Sequence, residues 1–355
     1  MVSRAKTSTT SEPAMVNLAL QGGGAHGAFT WGVLDRLLQD GRIGIEAVSG
    51  TSAGAVNSVV MIDGYMRGGR DGAREALHHF WKHIANMGAA SPIQRSPIDI
   101  WLGNYSLDHN PAYVYFDAFT RMVSPYESNP VNLNPLKTLL EQEVDFERVR
   151  CCTDIKLFIS ATNVHTGRVK VFTGKEISAA SVMASSCLPL LFQAVEIDGV
   201  PYWDGGFMGN PVLFPFFYHC QSRDILLVQI NPLERKETPT TAREIKNRMD
   251  EITFNAALTK ELRAIEFVGR LIEAENLSED RYKRVFMHII DASDELAPLS
   301  ASSKFNAEWR FFKHLHDIGQ RTADAWLSDN FQHVGTRSTF DLSGHFQTTR
   351  IEGEV

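Results

Sequence analysis

A serine lies between two glycines in the motif Gly50-Thr-Ser52-Ala-Gly54. The motif follows a short apolar segment, residues 45–48, and opens a stretch rich in small residues, 53–65. In enzymes that use a serine nucleophile, such a motif forms a sharp turn from a strand into a helix, which exposes the hydroxyl. The glycines remove side chains that would collide in this turn, and the helix N-terminus favours negative charge near the serine oxygen. The motif therefore predicts that Ser52 is a nucleophile in acyl transfer.

A second glycine-rich stretch, Gly22-Gly23-Gly24-Ala25-His26-Gly27, follows the apolar segment 16–20 and precedes a helix predicted over 28–39. Its first, third and fourth glycines fit the spacing of a dinucleotide-binding loop. However, the acid that should end the second strand of such a fold is Glu46, which begins that strand instead. A phosphate-binding P-loop needs Lys and then Ser or Thr after the last glycine, and Ala-Phe stands there.

The remaining interpretation of this stretch is an oxyanion hole. Backbone N–H groups left free in such a loop can bind the negative oxygen that forms when a hydroxyl attacks an ester. Gly27 then ends the loop where the helix begins. The candidate donors are the N–H groups of Gly22, Gly23, Gly24 and Ala25.

A third motif, Tyr202-Trp-Asp204-Gly-Gly206, follows a hairpin signal at Asp198-Gly199. The two glycines Gly205 and Gly206 allow the backbone behind the carboxylate to approach another element closely. Taken alone, the motif is more typical of a plain Asp-Gly turn, which is common. It becomes a candidate catalytic site only together with the other two motifs.

The elements that must position these motifs alternate along the chain. A strand over 16–20, a helix over 28–39, a strand over 45–48 and a helix from residue 53 form the pattern of a parallel sheet with covering helices. The sequence thus predicts an α/β fold. Further buried strands are predicted at 225–230 and 285–290, and a last helix at 305–327.

Together, the three motifs resemble bacterial members of the patatin-like phospholipase family. That family carries a glycine-rich loop, a G-x-S-x-G motif and an Asp-Gly-Gly or Asp-Gly-Ala, in the chain order found here. The resemblance covers residues 16–230 well and includes Ala161-Thr-Asn163 and Ala184-Ser-Ser-Cys-Leu-Pro189 between the motifs. It implies a three-layer α/β/α fold that hydrolyses ester bonds of phospholipids and related lipids, without a metal or another cofactor.

Carried over to this sequence, the resemblance implies that Ser52 is acylated and that Asp204 accepts its proton. The N–H groups of Gly23 and Gly24, with a neighbour, would hold the oxyanion. The family often has Arg or Lys where His26 stands here. This departure leaves open whether a fixed positive charge near a lipid phosphate is needed.

A Ser-His-Asp triad is the competing mechanism. The chain order of such hydrolases requires a histidine after an acid, so His219 or His288 would be its base. Neither histidine lies in a recognisable turn, which favours the dyad of Ser52 and Asp204.

Composition and charge limit the kinds of molecule that the protein can bind. The formal charge is -7 and is not concentrated in blocks, so nucleic-acid binding through a basic face is disfavoured. No apolar stretch fits a signal peptide or a membrane span, and the four cysteines have neither metal-site nor disulfide-framework spacing. We expect a cytoplasmic protein that acts on a lipid or another acyl ester and contacts membranes only peripherally.

Several functions would use the same residues. A lysophospholipase, a triacylglycerol lipase, an intracellular polyester depolymerase and an acyltransferase all fit the dyad. A different class of protein, a non-catalytic nucleotide-binding or lipid-binding protein, would use the glycine-rich loop without chemistry.

We expect one catalytic domain over residues 15–335, after a polar, disordered lead-in (1–14) and before a polar tail (336–355). Prolines and aromatic residues recur over 87–134, which predicts an irregular insertion, either a lid or a satellite hydrophobic cluster. A helical extension is predicted over 241–330.

Overall fold

The computed structural model of the protein describes residues 12–275 and 282–347. Within them, eight strands form one sheet. The strands are β1 (Ala14–Leu20), β2 (Ile43–Gly50), β3 (Lys156–Asn163), β4 (Val169–Thr173), β5 (Val195–Ile197), β6 (Val200–Asp204), β7 (Asp224–Gln229) and β8 (Phe286–Asp291).

Five strands run parallel in the spatial order β3-β2-β1-β7-β8. Their carboxyl ends therefore lie along one edge of the sheet, where ligands bind in open α/β folds. Two further strands, β4 and β6, pair antiparallel with β3, and β5 pairs antiparallel with β6. The predicted parallel sheet is confirmed, with an antiparallel flank added beside β3.

Helices cover both faces of the sheet. They are α1 (Gly27–Asp40), α2 (Ala53–Gly88), α3 (Pro97–Trp101), α4 (Pro111–Met122), α5 (Pro125–Ser128), α6 (Pro135–Glu143), α7 (Phe146–Arg150), α8 (Ala179–Ser185), α9 (Phe214–His219), α10 (Ala242–Glu275), α11 (Ser293–Leu296), α12 (Trp309–Asn330) and α13 (Leu342–Gln347).

Side chains along β1 alternate between two hydrophobic cores. Leu18 and Leu20 belong to a core shared with α1, α2 and α12. Ala19 belongs to a second core on the opposite face, which includes Phe216 of α9 and Leu258 of α10. Because successive residues of a strand point to opposite faces, this alternation places helices on both sides of the sheet. The three-layer α/β/α prediction is confirmed.

The segment predicted as an irregular insertion, residues 87–134, contains more helix than we expected. α3, α4 and α5 each begin with a proline, and the residue before each proline caps the helix with its side chain. Proline is well tolerated in the first turn because the N–H that it lacks has no partner there in any case. The prolines of this segment therefore start helices and do not indicate irregular backbone.

The insertion is attached to the start of α12. Arg95 forms a mostly buried ion pair with Glu308, at 2.6 Å between Nη2 and Oε2. The Tyr105 ring stacks on Phe311, with the ring centroids 4.7 Å apart. Tyr105 of the insertion thus packs against the main hydrophobic core of the domain.

The two ends of the chain lie partly outside the described residues. Most of the predicted lead-in, residues 1–11, and the last residues, 348–355, fall there. The part of the predicted polar tail that the structure describes includes α13, whose Leu342 and Phe346 are buried in the core beside α10. Among the described residues, no helix has both the length and the hydropathy needed to cross a membrane.

Candidate active site

Ser52 lies in the predicted sharp turn between β2 and α2. Its backbone has a φ of 53° and a ψ of -121°, a conformation that costs an L-residue energy and is held only when its surroundings enforce it. A hydrogen bond and close packing of the turn hold this conformation. The Ser52 N–H donates to Ser185 Oγ at 2.9 Å. A Cβ on Gly54 would lie 2.2 Å from the carbonyl oxygen of Leu20 in β1, so the turn can pack against β1 only with glycine there. A Cβ on Gly50 would lie 2.6 Å from the carbonyl oxygen of Gly54, so the turn itself can close only with glycine at residue 50.

Asp204 reaches the same place through the pairing of β3. Gly50, at the end of β2, lies opposite Ile159, and Asp204, at the end of β6, lies opposite Ala161. β4 pairs with a stretch of β3 that overlaps both the residues paired with β2 and the residues paired with β6. β4 therefore occupies one edge of β3, and β2 and β6 follow each other along the opposite edge. Since β2 is parallel to β3 and β6 is antiparallel, their carboxyl ends point at each other.

The Asp204 carboxylate is buried, with 1% of its surface exposed. Oδ1 accepts a hydrogen bond from the Gly206 N–H at 2.7 Å. Oδ2 has no hydrogen-bond partner among the described residues, although the Ser52 hydroxyl lies near enough to the carboxylate to lower its pKa. Burial dominates and raises the pKa of Asp204 to about 7. The carboxylate can therefore exchange a proton near neutral pH. A Cβ on Gly205 would lie 2.2 Å from the Ser160 carbonyl oxygen, which explains the first glycine behind the acid.

The glycine-rich loop lies against the Ser52 turn. A Cβ on Gly22 would lie 2.7 Å from the Ser52 Cβ. The loop continues as a 3₁₀ turn, Gly24–His26, and Gly24 has a positive φ of 56°. Among the described residues, no group accepts a hydrogen bond from the N–H of Gly23 or of Gly24. These two donors are thus available to a ligand.

The Gly22 N–H is not available, which corrects the prediction for that residue. It donates to Asn210 Oδ1 at 2.7 Å, because Asn210 folds back over the loop from the chain beyond Asp204. Ala25, like Gly23 and Gly24, lines the cavity next to Ser52. Gly27 packs against α2 so closely that a Cβ on Gly27 would lie 2.7 Å from the Cβ of Ala53.

A buried polar network holds the loop from behind. Gln21 donates to the Asn210 carbonyl at 3.3 Å and to Asn255 Oδ1 at 3.2 Å, and its own Oε1 accepts the N–H of Asn231 at 2.9 Å. Asn231 Nδ2 donates to the Gly22 carbonyl at 2.8 Å. We did not predict these amide side chains as part of the site. Asn210 and Asn231 each precede a proline, which signals a turn but says nothing about tertiary partners.

His26 is a buried structural residue. Its Nε2 lies 2.7 Å from Ser303 Oγ, which donates its own hydrogen to the Ser300 carbonyl and therefore accepts from the imidazole. Burial, with the nearby Lys304 charge, lowers the pKa of His26 to about 3. The imidazole is thus neutral, and the basic residue in contact with this loop is Lys304, whose own pKa is lowered by burial.

These groups open into one cavity of about 880 Å³. Ser52, Asp204, Gly23 and Gly24 all line it, together with Lys304. Most of the remaining lining is apolar, and α4 of the insertion covers one side. The apolar lining includes Val56, Leu139, Leu191, Phe254, Leu299 and Phe116.

Neither histidine of the triad hypothesis reaches this cavity. His288 is buried in β8, where its Nε2 lies 2.9 Å from Asp224 Oδ1 at the amino end of β7. His219 is exposed at the end of α9. Among the described histidines, His26 alone lines the cavity, and it is neutral. The geometry therefore supplies no histidine base for Ser52.

Two solved structures are similar to this chain over most of its length. VipD from Legionella pneumophila is similar with 15% sequence identity and a TM-score of 0.36, over 90% of this chain and 69% of VipD. The type III effector ExoU from Pseudomonas aeruginosa is similar with 12% identity and a TM-score of 0.33, over 90% of this chain and 54% of ExoU. This chain thus spans about half the length of ExoU.

Sequence comparison identifies the family. No curated protein sequence matches the chain significantly. The family model described as patatin-like phospholipase matches residues 18–217, which is more than half of the chain. The chain therefore belongs to the patatin-like phospholipase family.

Proposed function

We propose that the protein is a serine hydrolase of lipid acyl esters, in which Ser52 is the nucleophile and Asp204 is its base. Family membership supports hydrolysis of lipid acyl esters in general. The observation that carries the finer proposal is the Asp204 carboxylate. It is buried and titrates near neutral pH, and its free oxygen shares a cavity with the strained Ser52.

In the first half-reaction, Asp204 removes the proton of the Ser52 hydroxyl while Oγ attacks the ester carbonyl carbon. The carbonyl oxygen becomes an oxyanion and accepts hydrogen bonds from the N–H groups of Gly23 and Gly24. The intermediate collapses by breaking the bond to the alcohol oxygen, which takes the proton from Asp204. The products are a free alcohol and an acyl-Ser52 ester.

In the second half-reaction, water replaces the alcohol. Asp204 removes a proton from the water, whose oxygen attacks the acyl-Ser52 carbonyl. The fatty acid leaves when the bond to Ser52 Oγ breaks, and Asp204 returns the proton to that oxygen. Each step uses a group that the cavity already holds, so no cofactor is required by this scheme.

Burial makes an aspartate a usable base here. An ordinary aspartate, with a pKa near 3.9, would be a poor acceptor for a serine proton. With the pKa of Asp204 raised to about 7, the basicity of the carboxylate is matched to neutral pH. Loss of a single oxyanion donor lowers kcat by about 10²–10³-fold in serine hydrolases, so the loop is expected to contribute as much as the base.

The character of the cavity favours an acyl chain over a nucleotide. Its walls are mostly apolar side chains, which suits a fatty acyl group. In addition, the first N–H of the loop is already bonded to Asn210, so fewer donors remain for a phosphate chain. A non-catalytic nucleotide-binding protein is therefore the weaker alternative. Triacylglycerol lipase and polyester depolymerase activities would use the same groups, and chain-length and head-group profiles separate them from a phospholipase.

We further propose that the insertion contacts lipid surfaces. α4 lines the cavity through Tyr113 and Phe116, while Trp101 and Met122 are 84% and 85% exposed. Exposed apolar side chains on a segment that also lines the cavity are typical of a surface that meets a membrane. Contact of this kind would be peripheral.

A covalent probe tests the nucleophile directly. A fluorophosphonate should label wild-type protein on Ser52, with the position identified by mass spectrometry of the labelled peptide. Ser52→Ala should abolish labelling, whereas Ser186→Ala, which removes another serine of the cavity wall, should leave it intact. Labelling of Ser52→Ala at the wild-type rate would exclude the proposed nucleophile.

A further inference from the structure

The cavity beside Ser52 has two walls of opposite character. On the α10 side, the lining includes charged side chains that are paired with one another. Arg235 pairs with Glu251, at 2.5 Å between Nη2 and Oε1, and Lys246 pairs with Asp250 at 2.8 Å. A hydrocarbon chain packed against this wall would take water away from charged groups, which is unfavourable. The α10 side is therefore a poor surface for an acyl chain.

The opposite wall is apolar. It is built from α2, α6 and α12, and none of the side chains that these three helices place along it is charged. We call this part of the cavity the apolar arm. Its lining includes Val56, Trp81, Ile84, Met87, Leu139 and Phe312.

α2 leads from the mouth of the apolar arm to its floor. This helix turns back at Gly68 and Gly69, where its backbone is not helical. Along the returning half, Met87 is 43% exposed, Ile84 is partly buried and Trp81 is 3% exposed. Because residues three apart lie on the same side of a helix, these side chains follow one another along the arm. Trp81 is the deepest of the three.

The Trp81 indole is fixed in place. Its Nε1 donates to Asn57 Oδ1 at 3.0 Å, and Asn57 Nδ2 donates to the Gly27 carbonyl at 3.0 Å. The Phe312 ring meets the indole edge-on, with the ring centroids 4.9 Å apart. On its other side lies the buried Trp31 ring, stacked at 6.4 Å and outside the cavity lining. The indole thus separates the apolar arm from the core.

We propose that Trp81 is a specificity-determining residue that sets the longest acyl chain the site accepts. The inference rests on the proposed function and adds the acyl chain to it. An ester whose carbonyl is held by Gly23 and Gly24 extends its acyl chain into the apolar arm, with the terminal methyl towards the indole. Each methylene that enters the arm adds to binding until the methyl meets the ring. A longer chain has to displace packed side chains, which costs more than the added burial gains.

The test measures kcat/KM for p-nitrophenyl esters of straight-chain acids from four to sixteen carbons. In wild type, we expect kcat/KM to rise by up to about fourfold per methylene to a limiting length and then to fall. Trp81→Leu opens space towards Trp31 and should move the limit to longer chains by at least two carbons. For the first ester beyond the wild-type limit, kcat/KM relative to the butanoate should increase at least tenfold. Comparison of variant with wild type on the same ester cancels differences in solubility.

Two further variants bracket this result. Ile84→Phe places a larger side chain nearer the mouth of the arm and should shorten the limit. Trp309→Leu is the matched control, because Trp309 also packs against Trp31, with the ring centroids 5.8 Å apart, but does not line the cavity. It should leave the limit where it is in wild type. Thermal unfolding checks each fold, and if Trp81→Leu does not fold, Trp81→Phe should give a smaller shift in the same direction.

The outcomes separate this role from the proposed function. An unchanged chain-length profile in Trp81→Leu would overturn the role of Trp81, as would an equal shift in Trp309→Leu. A wild type without any limit up to sixteen carbons would also overturn it. In each of these cases the esters are still hydrolysed, so the proposed function stands. If wild type hydrolysed none of the esters, the proposed function itself would fail.

Discussion

Ser52 and Asp204 meet because β2 and β6 end head to head along one edge of β3. Gly50 lies opposite Ile159, and Asp204 lies opposite Ala161, only two residues further along the same strand. A hydroxyl at a strained turn and a buried carboxylate thus enter one cavity from opposite directions.

Asp204→Asn should remove hydrolysis but stabilise the fold at alkaline pH. We expect kcat/KM for a p-nitrophenyl acyl ester to fall about 10³-fold, since an amide cannot accept the serine proton. Because burial raises the pKa of Asp204 to about 7, the folded state keeps a proton that the unfolded chain, with an aspartate pKa near 3.9, has already released. The resulting loss of stability grows from about pH 4 to about pH 7 and is complete above that. The Tm should therefore rise relative to wild type at pH 8 and change less at pH 5. A Tm of Asp204→Asn below that of wild type at pH 8 would contradict the proposal that the buried, ionised carboxylate destabilises the fold.

The pH profile of wild type should report Asp204. Only the ionised carboxylate accepts a proton, so kcat/KM for a neutral ester should rise with pH through a limb near pH 7. The positive charge of Lys304 lowers the Asp204 pKa, and Lys304→Met should move this limb to higher pH. A limb near pH 4 would mean that the carboxylate of the free enzyme is solvated and has an ordinary pKa.

Asn210→Ala should impair the oxyanion loop without removing any reacting group. Asn210 holds the Gly22 N–H and packs behind the loop, so its loss should misplace the neighbouring donors. We expect kcat to fall about tenfold to a hundredfold with a smaller change in KM. Asn247→Ala, at an asparagine that does line the cavity, is the control and should behave like wild type. Equal effects of the two substitutions would argue against a specific role for Asn210.

Gly319→Ala should destabilise the fold strongly. α1 and α12 pack so closely that a Cβ on Gly319 would lie 2.2 Å from the Phe29 carbonyl oxygen. We expect a loss of at least about 2 kcal/mol in the free energy of unfolding, measured by urea denaturation. Gly269→Ala in α10 is the matched control. A Cβ at Gly269 meets no atom within 4 Å, so this change should stabilise by about 0.5–1 kcal/mol.

The insertion should bind membranes through its exposed apolar side chains. A double change, Trp101→Ser with Met122→Ser, should lower the fraction of protein that sediments with phosphatidylcholine vesicles, while hydrolysis of a soluble p-nitrophenyl ester stays near wild type. Met66→Ser, at a 38% exposed position of α2 well away from Ser52 along the helix, should not change sedimentation. Unchanged vesicle binding in the double variant would exclude this surface.

The sequence by itself determined the local structures, which depend on residues close together along the chain. The turn at Ser52 and the glycine-rich loop are local structures, because a tight connection from strand to helix tolerates few residue types. The alternation of apolar strands and amphipathic helices likewise predicted a parallel sheet with covering helices, and the resemblance implied helices on both faces; the structure confirms both. Placing Asp204 in the site required resemblance to a family, since an Asp-Gly-Gly turn alone has many uses.

Only the tertiary structure decided which groups complete the site. The Gly22 N–H is bonded to Asn210, and the cation near the loop comes from Lys304, far along the chain. Local sequence patterns cannot predict such contacts, because the contacts form only when segments distant in sequence pack together. Neither hydrophobic periodicity nor turn preferences specify which residues these segments bring together. The pKa of Asp204 has the same origin: the side chain is an ordinary aspartate, and its burial between strands, helix and loop makes it a base near neutral pH.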